Sequence, residues 1–317
     1  MASDEQVAEA MGCQLGDLKL AHPLVLGAGA AKHIDTEEGL EGFCKNTEAS
    51  LLIGGTITYY PRMGNPGTVF YHEPHDCSKV VNWMGMPNQG IVEILDNLLE
   101  VAEKAHCRDQ LIGVSVAGTA EADAKLSIEE QFVELVGAAF AHGADMVELN
   151  FGCPNTEKQP LSFSPKSIVD ILSGLAFHAH RNICVKVSPY TDPALLAEVA
   201  GIFNYCTAVK GIATMNTIPN QQWLLPDGKP TIDQNNGYGG LSGECIFETA
   251  LEQVKTWRRF LSPTKYIIGG GGVTNAERVL QMRQAGADAV FMVSAPLVLG
   301  HHTFGKILND LLEYYSQ

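Results

Sequence analysis

Short apolar runs rich in Val, Ile and Leu recur along this chain, and stretches with the 3.6-residue period of amphipathic helices separate them. Eight runs read as strands: LVLGAG (24–29), SLLIGGTIT (50–58), QLIGVSVAG (110–118), DMVELNF (145–151), ICVKVSP (183–189), GIATMNT (211–217), YIIGGG (266–271) and AVFMVS (289–294). Between them lie helical patterns such as SIEEQFVELVGAAFAHG, PKSIVDILSGLAFHAHR, DPALLAEVAGIF and CIFETALEQVKTWRRFL. Near-continuous apolar strands belong to parallel sheets with both faces covered. Eight strand-helix units in 317 residues predict an α/β fold closed into a (β/α)8 TIM barrel, one domain over 1–317. A doubly wound open sheet is the lesser alternative. Two connections, 59–90 and 218–243, are too long for simple turns and read as functional loops.

Composition narrows the partners. Lys plus Arg number 21 against 36 Asp plus Glu, a formal net charge of −15 that repels nucleic acid and anionic membranes. No apolar run approaches the roughly 20 residues of a membrane span, and the acidic opening MASDEQVAEA lacks a secretory signal's basic region. A cytoplasmic protein is expected. Its eight cysteines are scattered without a CxxC pair, so reduced thiols are expected, with no disulfide framework and no metal site. His301 and His302 read as a solvated helix start, since adjacent helical residues point about 100° apart.

Barrel active sites form at the C-terminal ends of the strands. Thr56 and Thr58, Asn150, Lys186 and Ser188, Asn216 and Thr217 fall there. GYGGLSG (237–243) and GGGGV (269–273) each precede a helical pattern, the second of these starting at Thr274 or Asn275. Glycines let backbone N–H groups approach an anion, and a helix N-terminus adds partial positive charge. Two such clusters on successive units suggest a phosphate cradle. Neither follows GxGxxG, so a flavin mononucleotide fits better than a dinucleotide.

ELNFGCPN, followed by ICVKVSPY, GYGGLSG and GGGGV, resembles the dihydroorotate dehydrogenase family, nearest its soluble class. The likeness runs from HPLVLGAG through GNP (64–66) and NWMGMPNQG (82–90) to the eighth strand. It implies a barrel holding FMN, in which hydride passes between carbon 6 of a dihydropyrimidine and flavin N5 while a cysteine base serves carbon 5. Cys153 occupies the place of that base, and residues 154–165 that of the lid over it. Asn82, Asn150, Asn155 and Asn216 match the ring-binding asparagines, with Thr217, Met84 and Gly85 beside them. Asparagine suits a ring of alternating N–H and C=O because it carries both donor and acceptor. Lys186 matches the lysine whose charge stabilises the reduced flavin. The implied cofactor contacts are Ala28, Gly29, Gly55, Thr56, Lys186, Asn216, Gly239, Gly240, Gly271, Gly272, Val293 and Ser294.

Two departures stand out. A family lysine nine residues before the glycine of GNP is Gly55 here, which removes a charge-assisted contact to a substrate carboxylate worth roughly 1.5–3 kcal/mol. A bulkier or less anionic pyrimidine-like substrate is therefore a second expectation, with Lys32 a less favoured substitute for the lost cation. Val293 and Ser294 stand where the family commonly has Gly-Thr, a change that leaves backbone donors and one hydroxyl. A cysteine-serine version is familiar in dihydropyrimidine dehydrogenases, which work on uracil and thymine. The resemblance also implies a homodimer. The electron acceptor stays open among fumarate, quinone, oxygen and an iron-sulfur partner subunit, membrane quinone being the least favoured for want of an amphipathic extension. A flavin-binding subunit without catalysis is the third reading, disfavoured by the joint presence of Cys153 and Lys186. Trp83 is read as packing, with walling of the pocket as the alternative.

Overall fold

The computed structural model describes residues 4–31, 33–121, 124–153 and 160–317. Eight parallel strands form a closed barrel: Leu24–Leu26, Leu51–Thr58, Leu111–Ala117, Met146–Asn150, Ile183–Val187, Val209–Thr214, Tyr266–Gly270 and Ala289–Met292. Each pairs with its neighbours in that order, and the last pairs with the first. All eight apolar runs are strands, and the fold is the expected (β/α)8 barrel. They read as continuous apolar stretches because one face packs into the barrel and the other against helices; in the second strand every residue but Thr56 is buried.

Local signals start the helices. Ser127 and Glu130 form a reciprocal capping box at Ile128–Ala141, Asp192 caps Pro193–Tyr205 ahead of a proline at its first position, and Asn275 caps Ala276–Gln284. His301 sets its ring against Phe43, tilted by 35° with centroids 4.2 Å apart, just before the helix Thr303–Tyr315. Among the described residues no helix is long and apolar enough to cross a membrane.

The barrel's two ends are built by segments that the strand-helix alternation did not foretell. A helix, Asp4–Met11, leads into an antiparallel hairpin, Cys13–Leu15 with Leu18–Leu20. Leu15 and Leu20 of this hairpin join the barrel interior with Val25, Leu51, Ile53, Met146, Ile268 and Ala289. Asn182 ties the plug in place: its Nδ2 donates to Leu15 O (2.6 Å) and Asp17 Oδ1 (2.9 Å), while Tyr266 Oη donates to its Oδ1 (2.6 Å).

At the opposite mouth, the two long connections are not structureless loops. Each folds back as a pair of strands, and the two pairs merge into one antiparallel sheet in the order Ile218–Gln222, Tyr238–Ser242, Val80–Asn82, Phe70–His72. The two connections expected to be functional loops thus carry strands of their own. The strands are short, three to five residues, and the pairing that joins the two connections is between segments about 160 residues apart, which single-chain periodicity does not register.

Tyr266→Phe leaves the buried Asn182 Oδ1 without its donor. The expected result is a stability loss of about 1–3 kcal/mol, read from the urea midpoint at an unchanged m-value. An unchanged midpoint would show that the plug does not depend on this bond.

Candidate functional site

A cleft opens at the C-terminal ends of the strands, under the four-stranded sheet, and encloses about 1170 Å³ of space, part of it open to solvent. Its wall takes Ala28 and Gly29 from the end of the first strand, Gly55 and Thr56 from the second, Asn150 and Cys153 from the fourth and Lys186 from the fifth. Asn216 and Thr217 follow the sixth strand, Gly271 and Gly272 the seventh, Val293 and Ser294 the eighth, and Asn82, Met84 and Gly85 come from the sheet above. Asn155 and the first half of the expected lid, 154–159, lie outside the described residues. The lid's far end is anchored: Ser162 Oγ donates to Phe151 O (2.8 Å), and Tyr190 Oη donates to Ser162 O.

Lys186 is buried, 6% exposed, in the floor of the cleft. Its Nζ donates to Ala28 O (3.2 Å), lies 3.9 Å from Glu148 Oε1 and stands over the Phe291 ring at 5.4 Å. Glu148 is the counter-ion that sequence reasoning missed. The signal was present in ELNF, where a carboxylate interrupts an apolar strand two residues before Asn150. Its Oε1 makes no hydrogen bond among the described residues, so the pair is held by charge alone.

The asparagines interlock. Asn150 Nδ2 donates to Thr56 Oγ1 (2.8 Å), and its Oδ1 accepts from Gly152 N (3.3 Å) and Asn216 Nδ2 (3.4 Å). Asn216 Oδ1 in turn accepts from Thr217 N (2.8 Å). Both amides are thereby oriented, each with one N–H left for the cleft. Asn82 Nδ2 donates to Gly240 O at 3.3 Å across the sheet. Thr217 Oγ1 is buried on the cleft wall without a partner among the described residues, a group that a bound ring would satisfy.

Glycines and hydroxyls line the far end. Gly272 has φ +72°, and a Cβ there would come within 2.9 Å of Gly243 O and Phe247 N, so only glycine leaves this cradle open. Ser294 Oγ donates to Ser242 Oγ at 3.0 Å, close to Gly243. Gly239 and Gly240 do not line the cleft: they lie within the sheet strand Tyr238–Ser242, with Gly240 paired to Asn82. Ser242 and Gly243, further along the same motif, are the residues that reach it. Cys77 also lines this end; burial pushes its thiol up to about 12, which makes it a neutral thiol there.

Gly55 sits at an irregularity in the second strand, where the register against the third strand shifts between Gly54 and Ile57. Its φ is +94°, and a Cβ would stand 2.7 Å from Ser115 O and 2.8 Å from Ile57 N. The backbone at this position therefore calls for glycine. Gly55 N donates to Ala31 O (2.9 Å), which brings the first strand's loop beside it; Lys32 itself lies outside the described residues. A second chamber adjoins the cleft at Met86, Asn150 and Cys153. Trp83 lines that chamber and not the main cleft, together with Arg62, whose Nη1 pairs with Glu121 Oε1 at 2.5 Å.

Residues 11–314 match the family described as Dihydroorotate dehydrogenase. "Probable dihydroorotate dehydrogenase A (fumarate)" of Streptococcus pneumoniae serotype 4 is 29% identical over 299 residues, 94% of this chain and 91% of the relative. "Dihydroorotate dehydrogenase (fumarate)" of Trypanosoma brucei brucei is 29% identical over 301 residues, 93% and 90% of the two chains. The crystal structure of DHODH from Eimeria tenella, in complex with ferulenol, superposes with a TM-score of 0.79 over 100% of this chain and 87% of that one; at 18% identity it speaks for the fold. The chain belongs to the dihydroorotate dehydrogenase family, whose members are oxidoreductases acting on a CH–CH group.

Because a Cβ at residue 55 has no room and L-residues avoid this φ, Gly55→Lys is expected to cost about 1–3 kcal/mol of stability. The measurement is the urea midpoint of the variant against the unaltered protein, and equal midpoints would overturn the assigned backbone.

Proposed function

We propose that this member of the dihydroorotate dehydrogenase family is an FMN-dependent oxidoreductase of a dihydropyrimidine-type ring, with Cys153 as the acid/base at carbon 5. The observation that carries the reading is the convergence of a thiol, a buried ammonium and three asparagines, Cys153, Lys186, Asn82, Asn150 and Asn216, on one cleft. A pure flavin carrier has no use for a proton-transferring thiol opposite a ring-binding wall.

The cleft fits FMN. The cradle of Gly271, Gly272, Val293 and Ser294, with Ser242 and Gly243, offers N–H and O–H donors to a phosphate where a side chain at 272 would block it. Ala28, Gly29, Gly55, Thr56 and Asn216 would flank the ring system, Thr56 and Asn216 being shared with the substrate ring, and Lys186 would place positive charge beside it. FMN, when bound, supplies the two-electron centre that exchanges hydride with carbon 6. The protein's own residues do the rest. Asn82, Asn150, Asn155, Asn216 and Thr217, with the Met84–Gly85 backbone, hold the ring in its plane. Cys153 removes the proton from carbon 5 in oxidation and returns it in reduction, a task within reach of a thiol whose reference pKa is about 8.5. Residues 154–165 shut water out.

Gly55 favours a second reading of the substrate. With no lysine side chain at that position, Lys186 is the basic residue lining the cleft among the described residues, and Glu148 already faces it. A ring without the carboxylate, of dihydrouracil type, asks for no further cation. On either reading the enzyme is a cytoplasmic homodimer, and an electron-transfer partner subunit is one candidate acceptor.

Anaerobic mixing of the purified yellow protein with dihydroorotate and, separately, dihydrouracil decides the matter. Loss of the long-wavelength flavin absorbance with dihydroorotate would make the lysine at position 55 dispensable; loss with dihydrouracil alone would assign the uncharged ring. No bleaching by either, in a protein that dithionite reduces, would reject the reading, as would a purified protein without flavin. Cys153→Ala is expected to slow bleaching at least about 10²-fold while flavin content is retained.

A further inference from the structure

Ser115 lies in the third barrel strand, fully buried, with its Oγ 3.1 Å from Thr56 Oγ1. Either hydroxyl of this pair can donate, but Ser115 Oγ is buried with Thr56 as its one side-chain hydrogen-bond partner among the described residues, so only donation from Ser115 to Thr56 leaves no buried hydroxyl proton unpaired. Thr56 Oγ1 also accepts from Asn150 Nδ2 at 2.8 Å. A hydroxyl has two lone pairs and one proton. With both lone pairs taken, the Thr56 O–H is the group left over, and Thr56 lines the cleft. The same chain of bonds fixes the Asn150 amide: its nitrogen faces Thr56 and its oxygen faces Gly152 N and Asn216 Nδ2.

We infer that Ser115, which does not line the cleft, is a positioning residue that sets the polarity of the ring-binding wall, making Thr56 and Asn150 hydrogen-bond donors toward the cleft. The wall therefore selects a ring edge that presents acceptors, carbonyl oxygens above all, and discriminates against one that presents N–H or amino groups. The strand irregularity at Gly55 is part of the device. The shift between Gly54 and Ile57 bends the second strand over Ser115 O and leaves Thr56 the single residue of that strand not buried. In an unbroken ladder the alternation of faces would be kept, and no such turn would bring Thr56 to both Ser115 and the cleft.

This inference rests on the ring-oxidoreductase reading of the same cleft, and the experiment separates the two. Binding of orotate and of uracil to the flavin-loaded protein is measured by the flavin difference spectrum, and KM and kcat are measured with dihydroorotate and dihydrouracil, for the unaltered protein, Ser115→Ala, Ser115→Thr and Thr56→Val. Expected for Ser115→Ala is about a tenfold rise in Kd and KM with kcat within about twofold and flavin content unchanged. Ser115→Thr, which keeps the hydroxyl, should restore both constants. Thr56→Val should weaken ring binding as Ser115→Ala does, and adding Ser115→Ala to it should change nothing further. Equal Kd and KM in Ser115→Ala and the unaltered protein, a loss confined to kcat, or full additivity of the two substitutions would overturn the role given to Ser115 while leaving the ring chemistry standing. Failure of the unaltered protein to bind or turn over either ring would overturn the ring chemistry first and this role with it.

Discussion

A buried ammonium organises the active end of this barrel. Lys186 is 6% exposed, and a cation so placed needs counter-charge and lone pairs from its surroundings. Glu148 of the fourth strand, Ala28 O at the end of the first and the Phe291 ring of the eighth provide them. Those groups are neighbours only when the eight strands have closed, since the first and eighth are far apart in sequence and meet at the barrel seam. Closure and site construction are one event for this residue. The arrangement also sets a fixed positive charge under the cleft, a preorganised feature of the kind that stabilises charge developing in a reaction.

A second constraint is the backbone at Gly55. The positive φ, the register shift and the close approach to Ser115 O occur together, and each makes the others necessary. This turn in the strand delivers Thr56 to Asn150. A hydrogen-bonded chain of Ser115, Thr56, Asn150 and Asn216 runs from there across the third, second and fourth strands and the end of the sixth. A site built this way orients its amides through neutral groups, which are insensitive to salt and keep their donor and acceptor roles over a wide pH range.

The sheet over the mouth shows how distant segments complete the cleft. Asn82 reaches the site because Val80–Asn82 pairs with Tyr238–Ser242, and that pairing also carries Ser242 and Gly243 to the cradle. The GYGGLSG motif therefore serves two purposes: its middle glycines belong to the sheet, and its last residues face the cleft. Gly239 and Gly240, expected at the phosphate, are held within the strand Tyr238–Ser242.

By itself the sequence determined the barrel, the order of its strands and the residues at their C-terminal ends, because a two-faced buried strand must be continuously apolar and its polar terminus then stands out. It carried the helix starts as well, in Ser127, Asp192 and Asn275, since a cap is a local contract between a side chain and N–H groups two or three residues away. Glu148 as the partner of Lys186, the hairpin plug held by Asn182 and Tyr266, the four-stranded sheet and the positive φ of Gly55 were decided by the tertiary structure. Each depends on a distance between groups that are remote along the chain, and periodicity, which is a property of neighbours, contains no such distance.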